Sequence, residues 1–367
     1  MWSHDAIRRI LLDLSLKATE RPFQGVGSLY DADKLDWKKD VGLDSLELMQ
    51  LAALANSFFH IFDLAQPPYV LASTRVADWV ESVYQARLHL NERVSFHTSG
   101  TTGQTRLVTH SVPYLRREID FLAELFAGTT QIVPYVPSYS IYGFLFTVGL
   151  PHALNIPVLY PSEVNWTAPP PRTLVVATPF HWQWLLSSLP GRSLPIRGVS
   201  STSPLHQSLF GQITDRSVSL TELYGSTETG GVAYRQQADS PFMLFPYWQF
   251  KDSHPDAEII DKDSQQPCVL MDRVNQCGEN TFHLMGRKDN KINIAGVLTD
   301  LEYIQETIGS ISGVLTCTVS AKAIHREVVV QAHLTVAPKA DRFYLEKEIR
   351  SLLRAHEVPR ILYYTSR

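Results

Sequence analysis

The segment from Phe96 to His110, FHTSGTTGQTRLVTH, constrains this chain more than any other stretch. A β-prone run, Arg93 to His97, feeds directly into Thr98, Ser99, Gly100, Thr101, Thr102 and Gly103. Glycine lets the backbone pass close to a ligand, and successive N–H groups with small hydroxyls form a concavity suited to an anion. Such a composition at the end of a strand reads as a phosphate grip. It is not a Walker loop, because Gln104 and Thr105 stand where that motif has Lys-Ser/Thr. Taken alone, a Ser/Thr/Gly cluster is also an ordinary solvated loop, so the reading depends on motifs elsewhere in the chain.

The pattern after this loop alternates strands and helices. Strands are expected at Gln131–Val136, Pro157–Tyr160, Arg172–Ala177 and Ile196–Ser200, with helices at Tyr142–Leu154 and Phe180–Leu189. That alternation predicts an α/β sheet with ligand loops at the carboxyl ends of its strands. From about Lys288 a small α+β domain is expected, with strands at Cys317–Ser320, Glu327–Val336 and Arg360–Tyr364 and a helix at Tyr344–Ala355. Upstream, Ile7, Ile10, Leu11, Leu14 and Leu16 are read as one helix face. A second helix begins at Ser45 behind Asp44, a suitable cap, and a third covers Val76–Val83.

At 367 residues the chain suits two or three domains, and 44% hydrophobic residues suffice for packed cores. A net charge of −4 argues against a nucleic-acid or anionic-membrane footprint. The most apolar stretch, Ile141–Tyr160, is interrupted by Pro151, His152, Asn155 and Pro157, so no membrane span is expected. Cys268, Cys277 and Cys317 show no CxxC spacing, which fits a reducing, cytoplasmic location without a zinc site.

Two further motifs are YGSTE, within Thr221–Gly230, and GRKDNKI, from Gly286 to Ile292. With TSGTTG, in this order, they resemble the ANL superfamily of adenylate-forming enzymes: acyl- and aryl-CoA synthetases, peptide-synthetase adenylation domains and luciferases. Asp272 lies fifteen positions before Arg287, as the family's ribose-binding Asp does relative to its Arg. The likeness runs from about Arg93 to the C-terminus. Residues 3–86 resemble an acyl carrier protein, because Gly42-Leu43-Asp44-Ser45-Leu46 matches that family's attachment motif. The expected layout is therefore a carrier-like all-α domain at 1–86, an adenylate-forming core at 93–287 and a small mobile domain at 288–367.

The resemblance implies a two-step reaction. A carboxylate attacks the α-phosphate of ATP, giving an acyl-adenylate and pyrophosphate; a thiol then displaces AMP to give a thioester. Thr98–Gly103 and Arg106 would hold the phosphates, Glu228 would ligate Mg²⁺ and Thr227 would donate to the α-phosphate. Tyr224 and Gly225 would lie against the adenine, Asp272 and Arg287 would brace the ribose, and Asp289 would be the domain hinge. Ser45 would carry phosphopantetheine, and the thiol would be that group, a separate carrier protein or CoA. Tyr139, Ser140, Tyr142, Ser200 and Ser201 fall where the family binds its acid, with Ser140 in place of the gate His. Tyr139, Tyr142 and Ser201 suggest hydrogen bonds to a ring substituent, hence an aryl acid. The family's loop lysine is Arg106 here, and the lysine of its GRxDxxIK motif is Asn293. The sequence stops after Val358–Arg367, before the family's catalytic-lysine segment, which leaves a catalytically impaired adenylate-binding or carrier-interacting subunit as the alternative expectation.

Overall fold

The structure, a computed structural model, describes residues 1–19, 34–98, 106–189, 191–251, 258–288, 291–294, 297–324, 327–338 and 340–366. The chain divides into two compact units, residues 1–97 with 107–248, and residues 98–106 with 249–367.

The first unit opens with three helices, α1 (His4–Ala18), α2 (Ser45–Phe59) and α3 (Val76–His89). Ser3 caps α1, and Asp44 caps α2 in a reciprocal box with Glu47. Strands β1 (Arg93–His97) and β2 (Leu107–Ser111) then form an antiparallel hairpin, followed by α4 (Val112–Leu125). Strand β3 (Gln131–Pro134) leads to α5 (Ile141–Phe144) and, through a wider π-type turn, to α6 (Leu150–Leu154). Next come β4 (Thr173–Ala177), α7 (Pro179–Ser188), β5 (Arg197–Ser200), α8 (Gln207–Thr214), β6 (Ser219–Ser226), β7 (Gly230–Arg235) and β8 (Phe242–Leu244). The strand order is β8-β7-β6-β5-β4-β3, parallel from β3 to β6 and antiparallel from β6 to β8. One sheet face packs Val133, Val175 and Leu220 against Trp182 and Leu185 of α7 and Phe210 and Ile213 of α8. Period-two alternation turns Ile132, Leu174 and Val176, which are also fully buried, to the other face.

The strand expected at Pro157–Tyr160 reduces to one bridge, Ile132 to Val158. Pro157 has no N–H for a ladder, and Pro161 starts a short 3-10 turn. The expected 142–154 helix is present but distorted. Pro151 has no N–H to offer Thr147 four residues earlier, and Arg9 Nη1 donates to that carbonyl instead, at 3.0 Å.

That contact belongs to a larger correction: the N-terminal helices are not a separate carrier-like bundle. A free-standing bundle buries its own apolar faces and leaves its charged residues to water. Here Arg9 and Asp13 are buried, and Asp13 Oδ2 accepts from the backbone N–H of Ser138 at 2.7 Å. Trp2, Phe58 and Phe59 join Phe96 and Phe144 in one aromatic cluster, with ring centroids 4.9–6.1 Å apart. His60 ends α2 in a left-handed conformation, and its ring bonds Ser95 Oγ of β1 at 2.8 Å, which in turn bonds Thr109 of β2 at 2.6 Å. The helices and the α/β sheet share one core.

The second unit contains β9 (Trp248–Phe250), β10 (Glu258–Asp261) and β11 (Pro267–Val269) in the order β11-β10-β9. Two hairpins come next in the chain, β12 (Asp272–Gln276) with β13 (Thr281–Arg287) and β14 (Lys291–Ile294) with β15 (Val297–Asp300). Beyond them lie α9 (Leu301–Gly309), β16 (Val314–Ile324), β17 (Glu327–Val336), α10 (Arg342–Leu352) and β18 (Ile361–Ser366). Strand β17 pairs antiparallel with β16 and parallel with β18. Ile304 and Ile308 of α9 and Leu345 and Ile349 of α10 pack on Val330, Ala332 and Leu334 of β17. The α+β character of this end matches the expectation, whereas the boundary between units falls after Trp248 instead of after Arg287.

Candidate functional site

In the first unit the site is organised by the turn between β6 and β7. Ser226 pairs with Gly230, leaving Thr227, Glu228 and Thr229 at the tip. Gly230 has φ +65, and a Cβ on Gly225 would lie 2.1 Å from the Gly230 carbonyl, so both positions need glycine. The turn is knotted internally, with Thr229 N–H donating to Ser226 Oγ and Ser226 N–H to Thr229 Oγ1. It is also held from outside by one row of side chains. His110 Nε2 donates to the Thr227 carbonyl at 2.7 Å, Tyr114 Oη to the Thr229 carbonyl at 2.6 Å, and Glu118 Oε1 accepts from Gly231 N–H at 2.8 Å. Tyr114 and Glu118, four apart, lie on one side of α4, and His110 precedes them on β2. Burial pushes the Glu118 carboxyl up to about 8, so it is protonated near neutrality. Glu228 itself is solvent-exposed, and Tyr224 is half-buried with its ring 6.0 Å from that of Phe242.

None of the three α4-side residues was singled out from sequence, nor was Glu222. Glu222 is buried, pairs with Arg235 at 2.7 Å and accepts from Leu205 N–H at 3.0 Å. The available signal was the four-residue spacing of Tyr114 and Glu118 on α4; His110, on β2, carried none.

The wall expected to receive the acid is Pro137–Gly143 with Ser200 and Ser201, and several of its hydroxyls are already committed. Ser140 caps α5, accepting from Gly143 N–H and donating to the Pro137 carbonyl, both at 2.9 Å. Tyr142 is buried and its hydroxyl sits between the carbonyls of Ala177 and Val199, at 3.2 and 3.1 Å. Ser201 donates to the Leu223 carbonyl at 3.0 Å. A ring substituent would meet these hydroxyls with their protons already directed at backbone carbonyls, leaving their lone pairs as acceptors. Ser200 Oγ is buried with no hydrogen-bond partner among the described residues, and Tyr139 is half-buried beside Lys17 of α1.

The phosphate grip is the connection of the β1/β2 hairpin. The pairing extends by one step, Thr98 N–H to the Arg106 carbonyl at 2.8 Å, while Arg106 N–H donates to Thr98 Oγ1 at 3.2 Å. Ser99, Gly100, Thr101, Thr102 and Gly103 lie outside the described residues, as does Asp289. In the second unit, Asp272 and Arg287 are direct partners across the β12/β13 ladder. Ser45 is exposed at the start of α2, its Oγ 3.4 Å from Lys38 Nζ. No cluster of three or more His, Cys, Asp or Glu side chains suited to a metal is present among the described residues, and no described helix is long and apolar enough to cross a membrane.

Solved structures place this arrangement. An amide bond synthetase from Marinactinospora thermotolerans superposes with a TM-score of 0.61 at 18% identity, over 74% of this chain and 65% of that one. A double mutant of o-succinylbenzoate CoA synthetase from Bacillus subtilis gives 0.62 at 15% identity, over the same shares. The chain has the fold of the ANL superfamily of adenylate-forming enzymes. It spans just under two thirds of the length of these two ANL structures. No family profile matches the chain. Among characterised sequences, a 4-coumarate–CoA ligase of Halorhodospira halophila is 29% identical over 330 residues, covering 86% of this chain and 83% of that protein. A 3,4-dihydroxybenzoate–[aryl-carrier protein] ligase of Bacillus anthracis is 22% identical over 233 residues, 59% of this chain and 56% of that one. An alignment covering 86% of the chain must include part of residues 1–86.

Proposed function

We propose that this protein uses ATP to activate a carboxylic acid as an acyl-adenylate and passes the acyl group to a thiol. The observation that carries the reading is the YGSTE turn. It is locked by three flanking side chains at the carboxyl end of β6, beside the Pro137–Gly143 wall, while its one acidic residue, Glu228, is left free to meet solvent. Phosphoryl and adenylyl transfer ask a protein mainly to position anions and spread charge. A rigid turn presenting Thr227 and Glu228 does the first, and the phosphate grip on the β1/β2 hairpin suits the second. Glu228 offers the oxygen donor that a hard cation prefers, so it would hold Mg²⁺, which supplies charge neutralisation for the phosphates. Asp272, opposite Arg287, would accept from the ribose hydroxyls.

The acid is proposed to be an aryl acid. Support comes from relatives named for 4-coumarate and 3,4-dihydroxybenzoate. CoA is the favoured acceptor, in line with the 4-coumarate–CoA ligase likeness; phosphopantetheine on Ser45 or on a separate carrier is the other thiol to test. Acid-dependent exchange of pyrophosphate into ATP, followed by thioester formation with CoA, tests the whole reading. ATP binding without exchange for any of a panel of aryl and aliphatic acids would favour the impaired, adenylate-binding alternative.

A further inference from the structure

Helix α1 sends a charged stripe into the acid wall. Arg9, Asp13 and Lys17 recur every four residues, so they share one side of the helix. Arg9 holds the Thr147 carbonyl, Asp13 holds the Ser138 N–H, and Lys17 places its Nζ 5.2 Å from the centre of the Tyr139 ring. Asp13 and the Nη1 end of Arg9 are thus paired with backbone, although Arg9 Nε has no partner among the described residues. Lys17 forms no hydrogen bond or ion pair with any described residue, and what it meets among them is the face of an aromatic ring. Burial lowers its pKa to about 8, which still leaves it mostly protonated at neutrality.

A second unpaired group lies alongside. His97, the last residue of β1 and the residue before the phosphate grip, has both ring nitrogens buried without a hydrogen-bond partner among the described residues. Burial and the nearby Lys17 charge bring it down to about 4, so the ring is neutral and has one N–H to donate. An uncompensated ammonium and an unsatisfied imidazole are each costly in a protein interior. An anionic oxygen answers both, as counter-charge for the first and acceptor for the second.

We propose that Lys17 and His97 form the subsite that holds the carboxylate of the acid, with the Tyr139 ring as its wall. The proposal rests on the acid-activating function above and names which groups grip the acid before it attacks ATP. A phosphate oxygen of ATP shares the same chemistry, and the test separates the two.

Wild type, Lys17→Met and Lys17→Arg are titrated calorimetrically with 4-coumarate, with its uncharged methyl ester and with ATP, and assayed for 4-coumarate-dependent ATP–pyrophosphate exchange. Lys17→Met is expected to weaken 4-coumarate binding about tenfold or more, with KM rising more than kcat falls, while ester and ATP affinities stay at wild-type levels. Lys17→Arg, which keeps the charge, recovers most of the loss. Unchanged affinity for 4-coumarate in Lys17→Met overturns the subsite, and so does a loss confined to ATP. Exchange by the wild type together with an indifferent Lys17→Met defeats the subsite but keeps the activity. No exchange by the wild type with any acid of the aryl and aliphatic panel defeats both. Lys17→Gln carries the same readouts should the Met variant fail to fold.

Discussion

Asp272 and Arg287 sit directly opposite each other in the β12/β13 hairpin, so a spacing of fifteen residues in sequence becomes a single rung of a ladder. Directly opposed positions on an antiparallel pair are the nearest neighbours across it, with Cβ atoms roughly 4.5–5.5 Å apart. If Asp272 accepts from the ribose hydroxyls, Asp272→Asn should weaken ATP binding by about ten- to a hundredfold, since a hydrogen bond to a charged acceptor contributes roughly 1.5–3 kcal/mol. Titration with ATP alone, without acid, reads this directly, and an unaltered Kd would remove Asp272 from the site.

Glu228 is exposed at the tip of its turn, so its replacement should separate function from folding. Glu228→Gln is expected to leave thermal stability within about 0.5 kcal/mol of wild type. Pyrophosphate exchange should fall by about two orders of magnitude or more and respond to added Mg²⁺ only at higher concentration. A melting curve and a Mg²⁺ titration of the exchange rate decide it.

Glu118 gives a pH dependence of definite sign. Its carboxyl is raised from 4.5 to about 8 in the folded protein, so the folded state keeps a proton that the unfolded chain releases above the ordinary carboxylate range. The associated stability is fully present below about pH 4.5 and is lost as pH rises towards 8, with a slope of up to about 1.4 kcal/mol per pH unit. Glu118→Gln keeps the acceptor for Gly231 N–H and cannot ionise. The melting temperature of wild type should therefore fall relative to this variant between pH 5 and 8, and parallel curves would refute the assignment. Glu118→Ala, which leaves Gly231 N–H unpaired, should cost about 2–4 kcal/mol.

The sequence was legible where local chemistry decides the outcome. Strand β4 and helix α7 arise from the buried, largely apolar run Thr173–Ala177 and from Thr178-Pro179 as cap and first turn. The YGSTE turn arises from its two glycine positions, each of which excludes a Cβ for a reason visible in the pairing. The features that escaped were decided by partners far away in sequence. A motif cannot show that Arg9 serves a carbonyl orphaned by Pro151, or that Tyr142 spends its hydroxyl on Ala177 and Val199. The Asp44-Ser45-Leu46 start is a correct helix signal and capped as expected. The same signal opens helices that pack into a larger core, so it carried the domain assignment too far.

That packing makes a direct prediction. Residues 93–367 expressed alone should be insoluble or molten, because Phe96 and Phe144 lose Trp2 and Phe58, and Ser95 loses His60. Residues 1–90 alone should likewise lack a sharp melting transition, with Arg9 and Asp13 deprived of the groups that satisfy them. Near-ultraviolet circular dichroism of the two fragments, separately and mixed, checks both. Two independently folded fragments would restore the free-standing bundle.

The stripe of Arg9, Asp13 and Lys17 also bears on how such a protein can be re-engineered. A grafted leader that fits the aromatic cluster but lacks these three residues would leave the Thr147 carbonyl and the Ser138 N–H without these partners, on the segment proposed to receive the acid. Libraries meant to change which acid is accepted should therefore vary the first twenty residues together with positions 137–143. If the 137–143 wall receives the acid, the opening turns of the chain help set which acid fits.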